Sequence, residues 1–253
     1  MSEDRVALIV GGGTGIGLAT AEQLVRNGVA VALAGRRHEV LAAAAEKLRA
    51  VSPAVAVAHV AGDAAVEAEA GRIVSSTVAQ LGRLDYCVNC AGIYEPAHIL
   101  DMDTTAWRNT LSTTLDAVLY PSVAAAREMV TQGRGRFVLV SSINAPLSEP
   151  ESAHYSAAKA GVSSLARSLA VDLAQHNIQA NAIAPGWVRT AMVDEFVQNA
   201  TPEALARLNI NGRVGEPEEI ANVIAYLLLE APDDLNGATI FVDGGQTAMA
   251  PLI

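Results

Sequence analysis

Short apolar runs alternate with longer stretches of helical periodicity from one end of the chain to the other. No other feature narrows the fold as much. Arg5–Val10, Val29–Ala34, Val55–Val60, Leu84–Asn89, Arg136–Ser141, Gln179–Ile183 and Ala238–Val242 read as strands. Helical patterns fill Ile16–Asn27, Glu39–Val51, Ala64–Leu81, Thr104–Gln132, Ala153–His176 and Glu216–Glu230. Pro121 is expected to bend the fourth of these, and Pro217 suits a helix start. Strands joined by helical crossovers pair in parallel and build a doubly wound α/β sheet with helices on both faces. A (β/α)8 barrel alternates in the same way but needs eight strands, and this chain shows about seven. A length of 253 residues suits one domain spanning 1–253. With 51% apolar but only 4% aromatic residues, Ala, Val, Leu and Ile must fill the core. The least regular stretch, 189–216, is expected to cover a site as a lid.

The formal net charge of −10 argues against a nucleic-acid partner, because displacing phosphate counterions needs a basic surface. No apolar run reaches the roughly 18 residues of a membrane helix. The polar start, Met1 to Arg5, leads straight into Val6–Val10, unlike a signal peptide. These features point to a cytoplasmic protein that binds no membrane. Cys87 and Cys90 form a Cys-x-x-Cys, but they straddle the end of a strand, where residues three apart face opposite ways. The five histidines are scattered. Neither a redox pair nor a metal site is expected.

The first strand runs into "ALIVGGGTGIG", which places Gly11, Gly15 and Gly17 between strand and helix. Glycines there permit a tight turn and close approach of a phosphate to backbone N–H groups at a helix start. The Walker phosphate loop is excluded, since Leu18 stands where a lysine would be required. In a dinucleotide fold, an acid at the end of the second strand binds the ribose hydroxyls, whereas Arg accommodates a 2′-phosphate. This chain has "VALAGRR", with Gly35 in the acid's place followed by Arg36 and Arg37. NADP(H) is therefore favoured over NAD(H), because guanidinium pairs well with phosphate.

"YSAAK", residues 155–159, carries one of only two lysines in a chain with fifteen arginines. On a helix, Tyr155 and Lys159 share a face one turn apart. Ser142 lies thirteen residues earlier, at a strand end.

These residues resemble the short-chain dehydrogenase/reductase family in its one-domain form, with a Rossmann-like sheet. "GGGTGIG" resembles the family's glycine turn, with Val10 where Thr is usual. "VNCAG" resembles its Asn-Asn-Ala-Gly, with Cys90 as the second Asn. "SS" followed by "YSAAK" resembles its catalytic Ser, Tyr and Lys, "NAIAPGWVRT" its Pro-Gly segment, and "VDGG" its last strand. The resemblance implies cofactor contacts at Gly11, Thr14, Gly15, Ile16 and Gly17, with Arg36 and Arg37 at the ribose. It implies Asp63 and Ala64 at the adenine, and Asn89, Ala91 and Gly92 along the fourth strand. Pro185, Gly186, Val188 and Thr190 would hold the nicotinamide carboxamide. It also implies a homotetramer or homodimer built on the two long helices.

The implied reaction moves a hydride between nicotinamide and a carbonyl or secondary-alcohol carbon of a small molecule. Tyr155 would be the general acid and base, and Ser142 would hold the substrate oxygen. Lys159 would lower the Tyr155 pKa and bond the nicotinamide ribose. One departure stands out. The family's catalytic Asn, counted from Trp107, falls on Thr114, which lacks the amide. Tyr94, Asn144, Glu149, His154, Trp187, Met192 and Phe196 are candidate substrate walls, and no substrate is named by them. Two alternatives stay open: an NAD(H)-dependent alcohol dehydrogenase of the same family, and a cofactor-binding regulatory protein without turnover. An enoyl reductase fits less well, because that branch resembles Tyr set further from Lys.

Overall fold

The computed structural model describes residues 5–249; the polar start at 1–4 and the last residues, 250–253, lie outside the described residues. Seven strands form one parallel sheet: β1 (Val6–Val10), β2 (Ala30–Gly35), β3 (Val57–Ala61), β4 (Tyr86–Asn89), β5 (Gly135–Val140), β6 (Ile178–Pro185) and β7 (Thr239–Val242). Their order is β3-β2-β1-β4-β5-β6-β7. The chain reverses its direction of travel between β1 and β4, so a crevice opens at the carboxyl ends of these neighbours. Register keeps those ends level, with Val10 opposite both Ala34 and Asn89.

Strands β1 and β2 are apolar at every position because both faces are covered. On one face pack α1 (Gly15–Arg26), α2 (His38–Val51) and α9 (Pro217–Leu229), whose Leu24, Leu48 and Ile224 meet Ile9, Leu33 and Val88. On the other pack α3 (Glu67–Leu81), α5 (Ala117–Gln132) and α6 (Ala153–Leu173). There Ile73, Met129 and Val162 meet Leu8, Cys87 and Phe137. Cys87 belongs to this second layer and Cys90 packs against the first, so the two thiols do face opposite ways. Burial pushes both up to about 12, which leaves them inert thiols.

The long helix expected over Thr104–Gln132 is divided. It consists of α4 (Thr104–Leu111), one π-helical turn at Ser112–Asp116, and α5. Pro121 lies inside α5. A proline disturbs the turn before it, since its ring meets the carbonyl four residues back, here that of Ala117. The irregular turn ends one residue short of that carbonyl. The 189–216 stretch is also less bare than expected. It carries α7 (Asp194–Asn199) and α8 (Pro202–Ala206), and a Val188–Gly215 bridge closes its base. Among the described residues, no helix is long and apolar enough to cross a membrane.

Candidate active site

A cleft of about 690 Å³ runs along the carboxyl edge of the sheet. Its floor at β1 is the glycine turn. A β-carbon on Gly17 would collide with the carbonyl oxygen of Gly11, and one on Gly12 would stand 2.8 Å from that of Ile9. The turn therefore closes only without side chains. Thr14 is the N-cap of α1 but makes no side-chain cap bond, and no acid occupies the first turn. The first N–H groups of α1 thus point, without a side-chain partner, at the cleft that Thr14, Gly15, Ile16 and Gly17 line. That backbone cradle fits a pyrophosphate.

Arg36 and Arg37 follow β2, are exposed, and line one end of the cleft beside Gly35, Asp63 and Ala64. Val40, Leu41 and Gly13 also line that end. The sequence reading missed these three, and the i, i+4 spacing of Arg37 and Leu41 was its one available signal. Ala91, Gly92, Pro185, Gly186, Val188 and Thr190 line the middle, as expected.

Two expected residues do not face the cleft. Asn89 is fully buried and turned toward α5, where its Nδ2 donates to Ser122 Oγ at 3.0 Å. Strand parity places it on the face of Cys87, away from the turn. Thr114 is also fully buried, and its Oγ1 accepts the Ile93 N–H at 3.2 Å. Its neighbours Thr113 and Ala117 line the cleft instead.

At the centre, the two adjacent serines that follow β5 have different roles. Ser141 Oγ donates to the Lys159 carbonyl at 2.9 Å and lies 2.7 Å from Ser163 Oγ, which ties β5 to α6. Ser142 Oγ accepts the Asn144 N–H at 3.1 Å and lies near enough to the Tyr155 hydroxyl to lower its pKa. Lys159 Nζ sits 5.6 Å from the centroid of the Tyr155 ring. It is buried, and it donates to the Val140 carbonyl at 2.8 Å.

The expected lowering of the Tyr155 pKa is not found here. Burial pushes the phenol up to about 12, outweighing the lowering by nearby Ser142, and Glu149 adds to the rise. The Lys159 ammonium is turned to a carbonyl, and burial draws it down to about 8. Tyr155 is thus held as the protonated acid around neutral pH. Of the candidate walls, Tyr94, Asn144, Glu149, Trp187, Met192 and Phe196 line the cleft. His154 does not, since its Nε2 meets the Glu95 carbonyl at 2.9 Å and so anchors the loop that carries Tyr94.

The chain has relatives among known proteins. A family model described as enoyl-(acyl carrier protein) reductase matches residues 11–247. The cis-4-hydroxycyclohexanecarboxylate dehydrogenase of Sinomonas cyclohexanicum is 38% identical over 248 residues, covering 97% of this chain and 98% of its own. The short-chain reductase protein NovJ of Streptomyces niveus is 34% identical over 252 residues, covering 97% and 95%. The crystal structure of a gluconate 5-dehydrogenase from Burkholderia cenocepacia, in complex with NADP and tartrate, aligns with a TM-score of 0.92 at 33% identity. It covers 98% of this chain and 97% of that one. The chain belongs to the short-chain dehydrogenase/reductase family. It is an NAD(P)-dependent oxidoreductase of CH–OH and C=O groups.

Proposed function

We propose that this protein is an NADP(H)-preferring oxidoreductase that moves a hydride between nicotinamide and a carbonyl or secondary-alcohol carbon. Tyr155 is its general acid and base. One observation carries this reading: Ser142, Tyr155 and buried Lys159 converge in a cleft that begins at the glycine cradle, with the Lys159 Nζ 5.6 Å from the Tyr155 ring centroid. The cofactor supplies or accepts the hydride, and the protein supplies position and a proton. Gly11, Thr14, Gly15, Ile16 and Gly17 would hold the pyrophosphate, and Arg36 and Arg37 a 2′-phosphate. Asp63 and Ala64 would meet the adenine, and Ala91 and Gly92 would border the sugars. Pro185, Gly186, Val188 and Thr190 would hold the carboxamide. Ser142 fixes the substrate oxygen next to the Tyr155 hydroxyl, which gives its proton to that oxygen on reduction and takes it back on oxidation. The protonated phenol is the form that gives up a proton in the reductive direction.

Thr114 positions rather than reacts. Its bond to Ile93 holds the chain after β4 against the π-helical turn, close to Lys159 and Gly92. Residues 189–216 act as the lid, since Thr190, Met192 and Phe196 reach the cleft while the Val188–Gly215 bridge anchors the base. The exposed Trp107 of α4 and Val171 of α6 support assembly into a homotetramer or homodimer through these helices. The absence of a long apolar helix among the described residues is consistent with a cytoplasmic enzyme.

Titration of the protein with NADPH and NADH, followed by nicotinamide fluorescence, tests the cofactor. NADPH is expected to bind at least about tenfold more tightly, the contribution of a charge-assisted phosphate contact. Ketone reduction by the protein and by Tyr155→Phe tests the chemistry, with an expected fall in kcat of about 10²–10⁴-fold and cofactor binding kept. Tighter NADH binding would overturn the NADP(H) preference. Binding of neither, or full activity in Tyr155→Phe, would overturn the function.

A further inference from the structure

The cleft is electrically lopsided. Its lining cations are Arg36 and Arg37 at one end, and Lys159 at the centre. Lys159 is 3% exposed and engaged by the Val140 carbonyl, so it presents little charge to the outer wall. Beyond Tyr155 the lining charges are Glu149 and Glu151, both carboxylates. Tyr94 lines the same end, packed edge-on against Tyr155 with ring centroids 5.2 Å apart.

The turn that carries the two acids is firmly built. Ser152 Oγ donates to the Glu149 carbonyl at 2.6 Å and accepts the Glu149 N–H at 3.1 Å. The Ala97 N–H donates to the Glu151 carbonyl at 2.9 Å, joining the turn to the loop that bears Tyr94. Asn144 Nδ2 reaches Glu149 Oε2 at 3.4 Å. Glu151 has a φ of 61°, an uncommon conformation for a residue with a β-carbon. A freely solvated charged loop requires none of this. The acids also influence their surroundings: after burial, Glu149 and Glu151 are the causes that raise the Tyr94 pKa.

We propose that Glu149 and Glu151 are specificity determinants, which make the substrate half of the cleft favour carbonyl compounds bearing a positively charged amine and reject carboxylates. This rests on the carbonyl-reductase reading above. An ammonium there meets two carboxylates and an aromatic ring, an arrangement that attracts cations. A carboxylate meets like charge, and among the described residues no cation lines that wall. This chain would then differ from its 38% identical relative, whose name specifies a carboxylate.

A matched set of ketones tests the idea on the NADPH-loaded enzyme: 4-methylcyclohexanone, 4-oxocyclohexanecarboxylate and 4-(dimethylamino)cyclohexanone. The ratio of kcat/KM for the amine over the carboxylate is expected to exceed about tenfold at low salt. It should narrow at about 0.5 M salt, because the outer wall is partly exposed. Glu149→Gln should reduce the ratio several-fold. A general folding defect lowers both substrates alike and leaves the ratio unchanged. If the neutral ketone turns over but carboxylate and amine react equally, the inference fails while the parent reading stands. A ratio unmoved in Glu149→Gln and Glu151→Gln has the same result. If none of the three reacts, the parent reading fails and takes the inference with it.

Discussion

Lys159 stands where an arginine would not fit, in a chain that otherwise writes Arg. Its Nζ is buried between the Tyr155 ring and the Val140 carbonyl, and a β-carbon on Gly92 would stand 3.4 Å from it. A guanidinium brings five donors in a rigid fork to a place with one observed acceptor. The unpaired donors would each cost about 1–3 kcal/mol, and the ring would press on Gly92 or Tyr155. Lys159→Arg is therefore expected to lose more than about tenfold in kcat, measured by NADPH oxidation with a ketone. Retention of turnover within tenfold would show that any cation suffices there. The residue scale is also where the sequence was most legible. Ser142, Tyr155 and Lys159 were legible from the family resemblance together with their spacing, and the three do line one cleft, because a strand end and a helix face convert sequence distance into geometry. The state of the tyrosine was not legible, because burial and the direction of an ammonium are properties of the folded site.

At the scale of elements, glycine marks both what the fold cannot give up and what it could improve. Gly17 opens α1 against the Gly11 carbonyl. Gly17→Ala would force the turn apart, at an expected loss of about 1–3 kcal/mol of stability together with loss of NADPH binding. Gly71 lies within α3, and nothing stands inside 4 Å of the place a methyl group would take there. Gly71→Ala should instead stabilise by about 0.5–1 kcal/mol, since alanine loses less backbone entropy in a helix. Urea unfolding of both variants decides the matter, and a destabilised Gly71→Ala would contradict the account of α3. The alternation of elements, and hence the sheet, was readable because the strands are short, mostly apolar runs, uninterrupted in β1 and β2, set between stretches of helical period. The π-helical turn was not readable. It leaves no apolar signature, and within and just after it Thr113 and Ala117 line the cleft while Thr114 is buried. Asn89 departs from expectation for a simpler reason. The motif suggested a ligand, whereas period-two alternation from Cys87 places it on the face of α5.

At the scale of the whole molecule, stability should depend on pH in two separate windows. His59 on β3 lies 3.4 Å from His38 on α2, Nε2 to Nε2. Burial first, then His38 and Arg49, hold the His59 pKa below its ordinary value of 6.5. The unfolded chain therefore takes up a proton there before the folded one does. Stability from this group is present above about pH 6.5 and is lost as pH falls below it, toward the folded pKa. Glu219 forms the second window. Arg213 donates to its two oxygens at 2.6 and 2.8 Å, and the Glu216 N–H donates at 2.9 Å in the capping box of α9. These bonds hold the carboxyl at about 2, so its contribution is present above about pH 4.5 and lost as pH falls from there toward 2. Because Glu219 is largely exposed, screening limits it to at most about 1 kcal/mol. Falling pH also relieves the excess of 27 acids over 17 bases, which works in the opposite direction. Comparison with variants removes that common background. The fall in Tm from pH 7.5 to 5.5 should be smaller in His59→Gln than in the parent, and the fall from pH 5 to 3 smaller in Glu219→Gln. Parallel curves for His59→Gln and the parent would mean that the ring pair carries no pH dependence, and that loss of stability in mild acid arises elsewhere.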